Sequence, residues 1–182
     1  IGVPGPDYNS EDQYGGDVLA QILGRGINPM LYRPLKGARD LVNTAGMMYV
    51  TLRYGGAFLA ALTLEPKTLT AAKRAAVQFL RQVRNENFAR GDVLGDEQMD
   101  TVDYLESARN QLTFDAAKNQ ESGLSLASSL AIHLLFRASD VPFDYLEQIR
   151  KVTSSDLRKV AGRYLGRSEY VTIAIVPKKK AP

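Results

Sequence analysis

A catalytic zinc site needs three or four His, Cys, Asp or Glu ligands that converge in space. This chain of 182 residues contains one histidine, His133, and no cysteine. Neither HExxH nor HxxEH occurs, so a His2Glu zinc centre cannot be assembled from these residues. His133 lies in Ile132-His-Leu-Leu135, beside the core face of an expected helix, where a hydrogen-bonded core histidine is expected rather than a ligand. A Ser-His-Asp triad would have to use the same residue. Ser128 and Ser129 stand one turn back on the same helix, and no GxSxG elbow accompanies them. No P-loop is present, and Gly24-Arg-Gly26 is too short for a dinucleotide fingerprint. The carboxylate pairs Asp96/Glu97 and Asp100/Asp103 fall in the first turns of an expected helix, where they suit its dipole. General acid–base work would need such a pair desolvated in a cleft. The expectation is a packed core with ordinary caps, no catalytic residue and no metal ligand.

The elements around these residues are written in periodicity and capping chemistry. Ile1-Gly-Val-Pro4 reads as the end of a strand, as in a piece cut from a longer polypeptide. Ser10 and Gln13 have capping-box spacing ahead of a helix over about 11–23, with Val18, Leu19, Ile22 and Leu23 on one face. Gly24 and Gly26 suit a left-handed stop. Asn28-Pro29 is an N-cap followed by proline at the first position of a helix over 29–36. Thr44–Arg53 and Ala57–Leu64 read as strands joined at Tyr54-Gly55-Gly56 in a hairpin.

Thr68 or Thr70 caps a long helix reaching about residue 87, with Ala72, Ala75, Ala76, Phe79, Leu80 and Val83 inward. Arg90–Gly95 is a loop, and Asp96 caps a helix carrying Met99, Leu105, Ala108 and Leu112. Ser122 caps another helix, with Leu126, Leu130, Leu134, Ala127 and Ala131 expected inward. Pro142 opens a short helix to about 149. Thr153 and Asp156 repeat the capping box for a helix ending at Gly166, and Tyr170–Val176 is the last strand. A hairpin inside a small sheet, with strands not alternating singly with helices, predicts an α+β fold of two layers: a mainly antiparallel sheet with helices packed on one face.

One domain over 1–177 and a basic tail over 178–182 account for the length. Hydrophobic content of 45% and charged content of 24% are those of an ordinary globular protein. No apolar run approaches the roughly 20 residues that span a bilayer. The net charge of +3 includes Lys178, Lys179 and Lys180 beside two prolines, a solvated terminus rather than a nucleic-acid patch, since no basic face with interleaved aromatics accompanies it. The absence of cysteine excludes a disulfide framework and thiolate metal sites and says little about compartment.

Several segments in order then suggest a family. Val3-Pro-Gly-Pro6, Gln21-Ile-Leu-Gly-Arg-Gly26 with Met30-Leu-Tyr-Arg-Pro-Leu35, Tyr54-Gly-Gly-Ala-Phe58, and Val152-Thr-Ser-Ser-Asp-Leu-Arg-Lys-Val-Ala161 with Arg163-Tyr-Leu165 succeed one another along nearly all of 1–177. Together they resemble the C-terminal half of a pitrilysin/insulinase-like zinc peptidase of the mitochondrial processing peptidase type. The resemblance implies that type's metallohydrolase fold and a division of labour. Zinc and its HxxEH belong to an N-terminal domain. This chain would be the non-catalytic domain, forming one wall of a peptide-binding chamber and packing against the zinc domain and a homologous partner subunit.

Many members offer an arginine, and a tyrosine seven residues later, to the substrate. The corresponding positions here are Lys36 and Asn43. Lys36 keeps the charge without the bidentate fork, and Asn43 hydrogen-bonds without a phenol. Lys36 also suits a plain surface role at a helix C-terminus. The departure fits a zinc-bearing partner whose second domain does not need the pair. It also fits the alternative, a structural or assembly subunit of the same fold with no peptidase activity. The resemblance carries an expectation of a bacterial periplasm or cell envelope. A free-standing binding module unrelated to peptidases is the remaining reading.

Overall fold

The computed structural model describes residues 1–26, 29–37, 39–88, 103–136, 144–167 and 169–177. The period-two pattern of residues 44–63 forms the expected hairpin. Strand β2 (Thr44–Leu52) pairs antiparallel with β3 (Gly55–Thr63) from Thr44↔Thr63 to Leu52↔Gly55. The turn is Arg53-Tyr54, one residue earlier than the sequence pattern indicates, because both glycines join the ladder. Gly56 is held to glycine by close approach, since a Cβ there would lie 2.0 Å from the Pro6 carbonyl oxygen. Strand β1 (Gly2–Gly5) pairs antiparallel with the other side of β3, giving the order β1-β3-β2. Val3, Ala45, Met47, Phe58 and Ala60 point to the core, and Met48, Val50, Leu52 and Leu59 lie on the opposite, open face.

Helix α1 (Gln13–Gly24) lies against β2, its apolar face of Val18, Leu19, Ile22 and Leu23 fully packed. The two glycines at its end do different work. Gly24 lets the helix touch the sheet, since a Cβ there would fall 2.1 Å from the Met47 backbone nitrogen and oxygen. Gly26 alone takes the left-handed conformation, with φ of 88°. The expected Ser10–Gln13 capping box does not form. Ser10 Oγ accepts from the Asp12 N–H at 3.2 Å, and the Ser10 carbonyl accepts the Gln13 N–H at 3.1 Å. Gln13 itself is buried and cannot reach back.

Asn28 lies outside the described residues. Just after it, the Met30 and Leu31 N–H groups donate to the Ile22 and Leu23 carbonyls at 3.0 and 3.1 Å, satisfying the end of α1. Helix α2 is therefore only the turn Arg33–Lys36, shorter than the expected 29–36.

Helix α3 (Leu69–Gln82) buries Ala72, Ala75, Ala76 and Leu80, with Val83 just beyond its end, and half-buries Phe79. Its Thr68 makes no side-chain cap; the hydroxyl donates instead to the Leu41 and Glu65 carbonyls, both at 2.9 Å. The expected loop over 90–95, the Asp96 cap, Met99, Pro142 and the basic tail lie outside the described residues. Helix α4 (Tyr104–Glu121) is capped by Asp103, whose carboxylate accepts the Glu106 N–H at 2.9 Å, and buries Leu105 and Ala108.

Helix α5 (Gly123–Phe136) overturns the expected inward set. Leu126 and Leu134 are exposed, as are Ala127 and Ala131, Leu130 is half-buried, and the buried side chain is His133. The helix is apolar nearly all round, so periodicity selects no face. Helix α6 (Tyr145–Lys151) buries Ile149 against the body of the domain.

Helix α7 (Ser154–Val160) forms the expected capping box. Asp156 N–H donates to Thr153 Oγ1 at 3.3 Å, and Thr153 N–H to Asp156 Oδ2 at 3.0 Å. It runs on through a π-turn over Ala161–Leu165 and stops at Gly166.

The expected last strand is reduced to a single antiparallel bridge, Val171 to Gly2. On one side of that bridge Pro4 has no N–H to offer. On the other, residues 172–177 make no backbone hydrogen bond to another strand among the described residues.

Candidate functional site

Lys36 and Asn43 stand at either end of a tight turn between α2 and β2. The Asp40 N–H donates to the Lys36 carbonyl at 2.9 Å and the Leu41 N–H to the Leu35 carbonyl at 2.8 Å. Asp40 takes a positive φ of 41°, a conformation aspartate tolerates better than most residues. Lys36 Nζ donates to Asp40 Oδ1 at 2.5 Å. That hydrogen bond, followed by the carboxylate charge, raises the lysine pKa, and the same contact lowers that of Asp40. Asn43 is exposed, and its backbone N–H is fixed to the Thr63 carbonyl at 2.7 Å. The two side chains thus share one surface turn, and no hydrogen bond joins them among the described residues.

His133 Nδ1 and the Tyr8 hydroxyl are 2.7 Å apart, and Tyr8 also meets the rings of His133 and Phe136 edge-on. This contact ties α5 to the segment between β1 and α1. Among the described residues no three His, Asp or Glu side chains gather as metal ligands. The one imidazole is spent on a tyrosine, so among the described residues no donor set fits a zinc ion.

Sequence reasoning missed Asp17. Gln13, Asp17 and Gln21 recur at four-residue spacing and form a polar stripe along α1 that turns inward. Both glutamines are buried, and Gln13 Oε1 has no hydrogen-bond partner. The spacing is readable in the sequence; that Asp17 meets α6 and Gln21 lies beside α4 is not. The Tyr145 hydroxyl donates to Asp17 Oδ2 at 3.3 Å, and Tyr14 packs on the Tyr145 ring with centroids 5.9 Å apart. Burial pushes the Asp17 carboxyl up to about 7, against the opposing effect of the Tyr145 hydrogen bond. Burial, then the Asp17 charge, pushes the Tyr145 phenol up as well. Tyr49, whose hydroxyl donates to the Pro6 carbonyl at 2.8 Å, is raised by burial first, with Asp17 a lesser cause. A carboxyl among phenols, with its charge disfavoured, keeps its proton well into the weakly acidic range and is only partly ionised at neutral pH. It does so within the packing of α1 and α6 rather than in an open cleft.

A groove of about 690 Å3 runs along α3, lined by Lys73, Arg74 and Arg81 with Thr70, Val77 and glutamines. It carries cations but no nucleophile or acid–base set, and it includes neither Lys36 nor Asn43.

The family profile described as the peptidase M16 inactive domain matches residues 1–94, from β1 through α3. No protein among those of curated function matches the chain. Solved structures share the fold. A protease from Helicobacter pylori aligns with a TM-score of 0.72 at 22% identity, over 90% of this chain and 37% of that one. The inactive peptidase domain of a candidate zinc protease from Bordetella parapertussis aligns with a TM-score of 0.72 at 17% identity, over 99% and 92%. A chain of complex III2 from Candida albicans aligns with a TM-score of 0.71 at 14% identity, over 90% and 38%. This chain thus spans little more than a third of the Helicobacter protease chain it resembles.

Proposed function

Because this chain belongs to the peptidase M16 inactive-domain family, we propose that it serves as the non-catalytic domain of a zinc metallopeptidase, closing one wall of a peptide-binding chamber against a zinc-bearing domain. The observation that carries this reading is a peptidase-family fold whose one histidine packs against Tyr8 inside the domain. Zinc chemistry then belongs to the catalytic domain. What this chain contributes is shape and a few polar contacts to the peptide.

Lys36 and Asn43 are the proposed substrate contacts. The lysine is 40% exposed, and a peptide carboxylate would compete with Asp40 for its ammonium. Asn43 presents an amide able to donate to and accept from an extended backbone. Neither group performs a bond-making step, so their effect falls on binding. In the parent enzyme, Lys36→Ala is expected to raise KM for acidic peptides about two- to fivefold, as for an exposed ion pair, with kcat held. A fall in kcat at unchanged KM would reject that role.

The isolated chain is expected to bind no stoichiometric zinc in calorimetry and to cleave no peptide. Metal-dependent cleavage by the pure chain would overturn the reading. The likeness to a chain of complex III2 favours a second one, a structural subunit. An HxxEH upstream of Ile1 with measurable peptidase activity decides for the first, and a parent lacking both decides for the second.

A further inference from the structure

Helix α5 is apolar yet barely covered. Over Gly123–Phe136 it carries no Asp, Glu, Lys or Arg, and only His133 is buried. A helix without a charged face ordinarily lies inside a protein. Its inner side is Ser125, Leu130, His133 and Phe136, of which His133 and Phe136 meet Tyr8. With 3.6 residues per turn, the outer side falls to Leu124, Ala127, Ser128, Ala131, Leu134 and Leu135, and all six are exposed.

This outer side has the size of an interface. Leu124, Leu134 and Leu135 are 80%, 60% and 67% exposed. With the two alanines they leave roughly 500 Å2 of apolar surface in water, toward the upper end of what a monomer ordinarily shows in one patch. A standard interface takes about 800 Å2 from each partner, and about 65% of it, again roughly 500 Å2, is apolar in homodimers.

The order of the side chains says which partner fits. Leucines stand at both ends of the face, and small residues lie between them. A twofold axis across the middle of the helix, between positions 129 and 130, brings this face onto itself. Leu124 of each copy then lies against Leu134 and Leu135 of the other. Ala127, Ser128 and Ala131 let the two helices approach closely where they cross. Such self-matching is what a twofold contact requires. The face holds no charge, so no ion has to leave water for the contact to form.

We propose that α5 pairs antiparallel with the α5 of a second copy of this chain, about a twofold axis through its midpoint. Sedimentation equilibrium of the full chain tests this. A monomer–dimer equilibrium is expected, half-dissociated at about micromolar concentration. Ala131→Glu buries an unpaired carboxylate in each copy and is expected to weaken association at least about a hundredfold. Thr70→Glu, at an exposed position of α3, is expected to leave it unchanged.

The absence of native cysteine permits a second measurement. In the antiparallel pair Ser128 lies near the axis, within disulfide reach of its own copy, whereas Leu124 lies about 16 Å from its copy along the helices. Ser128→Cys is expected to oxidise to a covalent dimer and Leu124→Cys is not. Because Ser128 is exposed, this variant decides the matter even if Ala131→Glu fails to fold. A chain that stays monomeric up to about 1 mM overturns the proposal and leaves the face to a different partner. Association that a folded Ala131→Glu variant does not weaken overturns it, as does a covalent dimer that forms through Leu124→Cys or fails to form through Ser128→Cys.

Discussion

Replacing Asp17 with asparagine removes a carboxyl whose charged form the fold disfavours. Burial raises its pKa from 3.8 to about 7, and the sign of the consequence follows from linkage. Below the unfolded value both states are protonated and the carboxyl costs nothing by this route. Between the two values the native state binds more protons than the unfolded state, so stability falls as pH rises. Above the folded value the loss is complete. At about 1.4 kcal/mol per unit, three units would amount to about 4 kcal/mol. Asp17 keeps part of its surface in contact with solvent, so this is a ceiling.

Between pH 5 and pH 8 the wild type should lose about 2–3 kcal/mol relative to Asp17→Asn, which carries no titrating group there. Urea unfolding at the two pH values reads this as a relative shift of the midpoint by about 1 M. Tyr145→Phe supplies the companion measurement. Removing a hydrogen bond that lowers the Asp17 pKa should move the pH-dependent interval further up. If wild type and Asp17→Asn differ by the same amount at pH 5 and pH 8, the carboxyl is not held out of water and the reasoning fails.

Gly24→Ala should cost about 3 kcal/mol or more in chemical denaturation, because its Cβ would meet the Met47 backbone at 2.1 Å and neither element can yield. Gly123→Ala, where a Cβ meets nothing within 4 Å, should be neutral or slightly stabilising; equal losses at both sites would refute the close-approach argument. Thr153→Ala should cost about 1 kcal/mol by removing one arm of the α7 capping box. Hydrogen bonds from the Thr153 hydroxyl and then its backbone N–H lower the Asp156 pKa. The wild-type advantage should therefore be present above about pH 4 and shrink on acidification, as measured by thermal unfolding at pH 3 and pH 7.

The two capping boxes separate what local pattern can tell from what it cannot. Thr153–Asp156 and Ser10–Gln13 have the same spacing. The first forms because its helix start is exposed, so both side chains are free to turn back on the backbone. The second fails because Gln13 is buried in the packing of α1. In the same way, alternation predicts the β2–β3 hairpin over nearly its full length, since both strands and their turn are local. Tyr170–Val176 alternates as clearly and remains almost unpaired, because a strand exists only opposite another strand.

Composition and motif settle the negative side of the chemistry: one imidazole and no thiolate leave no classical zinc centre to build, whatever the fold. The Gly-Arg-Gly turn, the hairpin glycines and the Thr-Ser-Ser-Asp cap, in that order, carry the resemblance to the family, and the family profile matches residues 1–94. Tertiary structure alone decided which of those glycines ends a helix and which admits a strand. It alone turned the Gln13–Asp17–Gln21 stripe inward and buried His133 rather than its leucine neighbours. Each of these depends on which distant segment arrives at a given face, and contact between segments far apart in the chain has no period to read.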